Sequence, residues 1–282
     1  MQTLWFILVG FMLTMYVVLD GFDLGAGAIH QLAAKNEHER RIILQAIGPV
    51  WDGNEVWLIA AGGTLFFTFP LLYASSFSGF YLPLIIVLWL LMLRGVSIEL
   101  RSLISNPVWS SFWDGLFFIG SSLLAIFFGA AMANVIRGVP LDKNGNFFLP
   151  LWTDFNPFSA TPGLLDWYTI LIGLMAFATL TTHGAAYIAV KTEGTLNARS
   201  RLIARGAWAV TIVFTILGTI ATFAVQPHIR ESFFSRPWGF IFPLIAFIGL
   251  IGTGYFNVRK RDLPSFFSSC AFRSVSNNAS CR

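Results

Sequence analysis

The sequence predicts an all-α membrane protein, a polytopic helical bundle of about seven transmembrane helices followed by a truncated eighth. Three observations point there. The 282-residue chain is 56% hydrophobic and only 11% charged, whereas soluble domains carry about 25% charged residues. Its mean hydropathy is +0.69. Apolar runs recur along it, each near the ~20 residues that a bilayer demands of a spanning helix. The basic balance, net +4 with a pI near 9.3, comes from residues between those runs. It reads as a topology signal, not as a nucleic-acid surface.

The spans are expected at about 4–29, 46–69, 77–98, 114–136, 166–189, 207–226 and 238–257. The first is a retained helix and not a signal peptide, because no basic residue follows Met1 and the apolar run is too long for an h-region. Between the second and third spans the uncharged PLLYASSFSG predicts a tight hairpin. The stretch 137–165, rich in Pro, Gly and Asn, predicts an ordered loop.

Charge then orients the bundle. Lys35, Arg40, Arg41, Arg101, Lys191, Arg199, Arg201, Arg205, Arg259, Lys260 and Arg261 fall on one side, and Arg137, Lys143, Arg230 and Arg236 on the other. The excess marks the cytoplasmic side and places the N-terminus outside the cytoplasm. After Arg261 a short apolar segment, LPSFFSSCAF, turns polar in RSVSNNASCR and is expected to be an eighth helix cut short. The domain expectation follows: a first four-helix bundle with an acidic cluster over 1–136, an extracytoplasmic loop over 137–165, a second, incomplete bundle over 166–262, and an atypical tail over 263–282.

Acids inside spans are costly, about 2.5–3.5 kcal/mol each at a helix centre, so their placement carries information. LDGFDLG puts Asp20 and Asp23 late in the first span, and WDGNEVW puts Asp52 and Glu55 early in the second. The two helices run oppositely, which brings the four carboxylates to a similar depth. Each pair is spaced i, i+3 and shares a helix face. The third span adds Arg94 and Glu99. Such acids are tolerated by facing a wet cavity, by pairing with Arg94, or by staying protonated. The last is what a proton path needs. Trp51, Asn54, Trp57 and Arg94 are expected to support the group. Gly21 and Gly25 carry the small-residue spacing of close helix packing, which is an equally open reading for this stretch. On residue chemistry alone a proton path, a proton-coupled transporter and a purely structural membrane subunit all remain open.

Other residues point to no cofactor held by this chain. Most tryptophans fall near span ends, where indole belts sit. His183 stands alone within the fifth span and reads as a hydrogen-bonded core residue. Cys270 and Cys281 lack CxxC or His spacing for a metal site.

Several stretches resemble a known family, subunit II of the cytochrome bd quinol oxidases: VVLDGFDLGAG (17–27), ERR (39–41), IGPVWDGNEVWLIAAGGTLFFTFPLLYASSFSGFY (47–81), RGVSIELRS (94–102), NPVWSSFWDG (106–115), RGVPL (137–141) and AYIAVKTEG (186–194). The resemblance covers most of residues 1–262. It implies a heterodimer with a subunit I that carries hemes b and d and oxidises quinol with O2, in electron transport coupled to proton uptake from the cytoplasm. It implies proton-carrying roles for Asp20, Asp23, Asp52 and Glu99, the last standing where the family often has Asp. Whether a lipid or a structural quinone lies near the first span is left open. The family normally carries further helices after the seventh, so this chain alone is expected to be inactive.

Overall fold

The computed structural model describes residues 1–143, 145–159, 162–235 and 237–278. In order, the helices are α1 (Gln2–Ala33), α2 (Glu37–Ile47), α3 (Trp51–Thr68), α4 (Pro70–Gly79), α5 (Tyr81–Leu100), α6 (Pro107–Arg137), α7 (Trp167–Lys191), α8 (Gly194–Val225), α9 (Pro227–Ser235), a 3-10 turn (Pro237–Phe240), α10 (Ile241–Val258) and α11 (Asp262–Asn278). Among the described residues no β-strand occurs.

Six helices are long and apolar enough to cross a bilayer: α1, α5, α6, α7, α8 and the stretch Trp238–Val258. The expectation of about seven spans is therefore approximate. The helix that falls outside the six is α3, whose early acids and asparagine dilute its hydropathy. At 18 residues it still reaches ~27 Å.

Local chemistry sets the boundaries. Asn36 caps α2 by accepting from Glu39 N at 2.9 Å. Asn106 caps α6 by accepting from Val108 N at 2.8 Å, with Pro107 in the first turn where its missing N–H costs nothing. Asp166 opens α7 through a capping box with Thr169. Pro70 ends α3: it donates no hydrogen bond and pushes Phe69 out of the helical region, to φ −134° and ψ 61°.

Several expected loops are helices. The predicted hairpin PLLYASSFSG is the ten-residue helix α4, because Pro70 is favourable as a first helical residue while it breaks the helix before it. The connection after the first span holds α2, whose apolar positions turn Ile43 and Ile47 inward. Helix α8 starts at Gly194 and α6 at Pro107, well before the apolar runs at 207 and 114. Backbone hydrogen bonds continue through polar turns that a hydropathy window reads as the end of a span. After Arg261 the chain forms α11, which packs on α10, α7 and α1.

Helix α1 lies at the middle of the molecule, against α3, α6, α7 and α11. Its contact with α7 is close enough to need glycine on both sides. A Cβ at Gly25 would lie 2.7 Å from Gly184 N, and one at Gly184 only 2.5 Å from Gly25 Cα. The main apolar cluster sits towards the basic end and joins Phe22, Ile29, Ile43, Ile47, Phe117 and Ile188. The rings of Phe22 and Tyr187 stack there at 4.1 Å. At the opposite end the 138–166 loop folds over α4, where Ser75 Oγ donates to Gly145 O at 2.6 Å and Leu149 N to Gly79 O at 3.3 Å. Buried Arg137 ties that loop down through Asp166 and through Gly163 O at 3.1 Å. Large apolar side chains such as Ile59, Phe67, Trp89, Ile220 and Ile248 face outward, as a bilayer or a packed partner allows.

Candidate functional site: a buried acid column around Arg94

One face of α1 carries a column of polar and small residues. Tyr16, Asp20, Asp23, Gly27 and His30 follow one another at helical spacings of four, three, four and three, which aligns them in a single stripe. All five are buried.

Arg94 from α5 meets this stripe. Its Nη1 donates to Asp20 Oδ2 at 2.9 Å, and its Nη2 lies 2.8 Å from Asp20 Oδ1. The same Nη2 donates to Glu55 Oε1 at 2.5 Å. Arg94 and Asp20 are both fully buried, while the Glu55 side chain keeps 24% exposure. Beside them Asn54 Nδ2 donates to Asp23 Oδ2 at 2.7 Å and reaches Leu19 O at 3.4 Å. Tyr16 is buried one turn before Asp20 on the same stripe. One guanidinium therefore serves two acids, with Asp23 one turn further along. The group holds three carboxylates, Asp20, Asp23 and Glu55, around one guanidinium.

The remaining expected site residues are placed differently. Asp52 lies exposed in the first turn of α3, and Glu99 is exposed near the end of α5. Trp51 is half-buried, and its ring covers Gly95 at 3.4 Å from where a Cβ would stand. Trp57 sits edge-on to Phe11 at 6.1 Å. Gly21 is buried on α1, and Gly25 forms the α1–α7 contact.

Comparison with known proteins now decides the family. Residues 1–276 match the family described as cytochrome bd terminal oxidase subunit II. The chain belongs to this family. As a subunit II it is 38% identical over 233 residues to the cytochrome bd-I ubiquinol oxidase subunit 2 of Escherichia coli K12, a match covering 82% of this chain and 60% of that protein. It is 33% identical over 309 residues to a probable cytochrome oxidase subunit 2 of Haemophilus influenzae, covering 98% of this chain and 78% of that one. The cytochrome bd ubiquinol oxidase subunit 2 of Bacillus subtilis is 33% identical over 248 residues, covering 88% and 69%. The chain thus spans about 60% of the length of the Escherichia coli relatives that it matches. Among solved structures, a chain of the bd oxidase from Geobacillus thermodenitrificans shares the fold with a TM-score of 0.77 at 15% identity, over 99% of this chain and 82% of that one. The subunit is an integral membrane protein.

Sequence reasoning missed a second polar cluster in this subunit II, towards the basic end of the column. Asp114 of α6 is buried against His30, Arg101 and Arg40. His30 Nε2 lies 2.6 Å from its Oδ1, Arg101 Nε donates to the same oxygen at 2.5 Å, and Arg40 Nη1 donates to Oδ2 at 3.2 Å. Arg101 also holds Glu37 of α2, with contacts at 3.1 and 2.8 Å. The Arg101 guanidinium keeps the Glu37 carboxyl below the usual carboxylate range. Glu39 is likewise held low, first by the backbone N–H of Lys35 and then by Arg199. A signal was present in the sequence: His30 stands two helical turns after Asp23 on the same face.

His183 has both ring nitrogens engaged, Nδ1 by Ser269 Oγ at 2.7 Å and Nε2 by Val18 O at 2.9 Å. Its ring stacks on Phe266 at 5.0 Å. This is the hydrogen-bonded core residue expected of it. Among the described residues, no three His, Cys, Asp or Glu side chains gather in a metal-like group. Arg236 and Cys281 lie outside the described residues.

Proposed function

We propose that this chain serves as the heme-free subunit II of a quinol-oxidising terminal oxidase in the bacterial inner membrane. It packs on a subunit I that carries hemes b and d. Quinol oxidation and O2 reduction belong to the complex and not to this chain by itself. The first bundle, 1–136, carries the proton path, and the helices from 166 onward form a second bundle beside it. The N-terminus lies outside the cytoplasm, so the basic end of the column faces the cytoplasmic proton source.

The observation that carries this reading is the sharing of Arg94 between Asp20 and Glu55. Oxygen reduction to water consumes protons, and drawing them from the cytoplasmic side makes the reaction electrogenic. Exposed Asp52 and Glu99 collect protons. Glu55, only partly buried, takes them over and exchanges its contact with Arg94 as it is protonated. Asp20 and Asp23 pass them along the α1 stripe. Arg94 keeps its charge throughout and compensates whichever carboxylate is ionised. Asn54 fixes the orientation of Asp23. The hemes supply the redox chemistry when bound in the partner.

The test is co-expression of the tagged chain with a heme-bearing subunit I. Reduced-minus-oxidised spectra report assembly, and oxygen uptake with quinol reports turnover. Asp52→Asn, Asp20→Asn and Asp23→Asn are expected to keep the heme bands and slow uptake by about tenfold or more. Unchanged uptake in all three, with intact spectra, leaves only a structural role.

A further inference from the structure

The corner between α10 and α11 gathers charge that the proton-path reading does not use. Arg259, Lys260 and Arg261 follow one another there, all exposed. Their backbone is fixed: Arg259 N donates to Tyr255 O at 3.2 Å, Lys260 N to Asn257 O at 3.1 Å and Arg261 N to Phe256 O at 2.9 Å. Lys260, at φ 57°, makes the turn that ends α10. Two arginines of α8 join the corner. Arg205 donates to Asn257 Oδ1 at 2.9 Å and to Asn257 O at 3.2 Å. Arg201 donates to Lys260 O at 3.4 Å and to both carboxylate oxygens of Asp262 at 2.6 Å.

The one acid of the corner, Asp262, is thus already matched by Arg201. Among the described residues no carboxylate pairs with Arg205, Arg259, Lys260 or Arg261, so the corner draws an anion to itself. Its flank says which kind. Ile251, Tyr255, Val258 and Arg259 fall on one stripe of α10 at spacings of four, three and one. The three apolar members are 51%, 48% and 64% exposed, on a helix long and apolar enough to cross a bilayer. The Arg259 guanidinium lies 4.4 Å over the Tyr255 ring. Stacking of this kind engages the face of a guanidinium and leaves its N–H edge for phosphate oxygens.

We propose that this corner binds an anionic phospholipid. Arg259, Lys260 and Arg261 take the phosphate headgroup, and Ile251, Tyr255 and Val258 take an acyl chain. Arg205, held on Asn257, adds to the positive potential. Free phosphate meets the same charges but gains nothing from the apolar stripe beneath them, which is why a lipid fits better.

The test titrates the full chain, purified in a nonionic detergent, with phosphatidylglycerol and with phosphatidylcholine of the same acyl chains. Native mass spectrometry counts the lipid retained. Phosphatidylglycerol is expected to be preferred. Arg259→Gln, Lys260→Gln and Arg261→Gln, made singly at exposed positions, should each weaken its binding by about fivefold. Tyr255→Leu keeps the apolar flank, loses the stacking surface and should weaken it as well. Arg41→Gln, an equal loss of charge on α2, should leave it unchanged. Equal retention of the two lipids overturns the proposal, and so does a loss in Arg41→Gln as large as at the corner. Displacement of the lipid by millimolar inorganic phosphate assigns the corner to free phosphate and overturns it too.

Discussion

Asp20 and Arg94, 74 residues apart in sequence, meet through a hydrogen bond from Nη1 to Oδ2 at 2.9 Å and a close approach of Nη2 to Oδ1 at 2.8 Å, with both side chains fully buried. This buried ion pair ties α1 to α5. It also sets the reference for every other acid in the column, because Glu55 must compete for the same Nη2.

Loss of the cation is therefore expected to be severe. Arg94→Met strands the buried Asp20 carboxylate and should cost about 3–5 kcal/mol, read as lost yield of folded subunit in detergent. Adding Asp20→Asn to Arg94→Met removes the stranded charge and should recover part of that yield. No recovery in the double variant contradicts the pairing.

The α1–α7 contact makes a prediction by position. Gly25→Leu and Gly184→Leu place side chains into facing backbone and should each cost about 1–3 kcal/mol or more. Gly53 has nothing within 4 Å of its would-be Cβ, so Gly53→Ala should be neutral or stabilising by up to about 1 kcal/mol. Thermal unfolding of the three purified variants ranks them.

Glu37 gives a pH dependence with a definite sign. Its folded carboxyl is held below its ordinary value of 4.5 by Arg101, so its stabilisation is fully present above that value. It is lost as pH falls through the lowered folded one. Because the side chain is half exposed, the effect is small. Glu37→Gln should flatten the decline in melting temperature between about pH 5 and pH 3, and an identical decline in both proteins removes Glu37 from the account.

His183 is expected to matter for stability and not for heme ligation. His183→Ala frees Val18 O and Ser269 Oγ and opens space beside Phe266, at a cost of about 1–3 kcal/mol. The heme bands of an assembled complex should keep their positions. A shifted band would assign the ring a part in heme binding.

Much of this site is legible in the sequence. Asp20, Asp23 and Glu55 stand out because ionisable residues inside apolar runs are expensive, and Arg94 is the one cation inside the same set of spans. Asp114 was hidden because it stands at the edge of an apolar run, among aromatics, with partners 13 to 84 residues away. Helices α2 and α4 were hidden for another reason. A hydropathy window sums transfer cost, whereas a helix persists wherever its backbone hydrogen bonds close, through the polar turns of α2 and again after Pro70.

The sequence by itself determined the membrane class, the helical architecture and the family, because each rests on composition or on contiguous motifs. Only the tertiary structure decided which acids share a cation. Asp20 and Glu55 reach Arg94, Asp23 reaches Asn54, and Asp52 and Glu99 stay at the surface. Spacing along one helix says which side chains share a face, but the rotation and axial offset of α1, α3, α5 and α6 settle which faces meet. Those are set by packing, by Gly25 against Gly184 and Gly27 against Ser121, and no single segment contains that information.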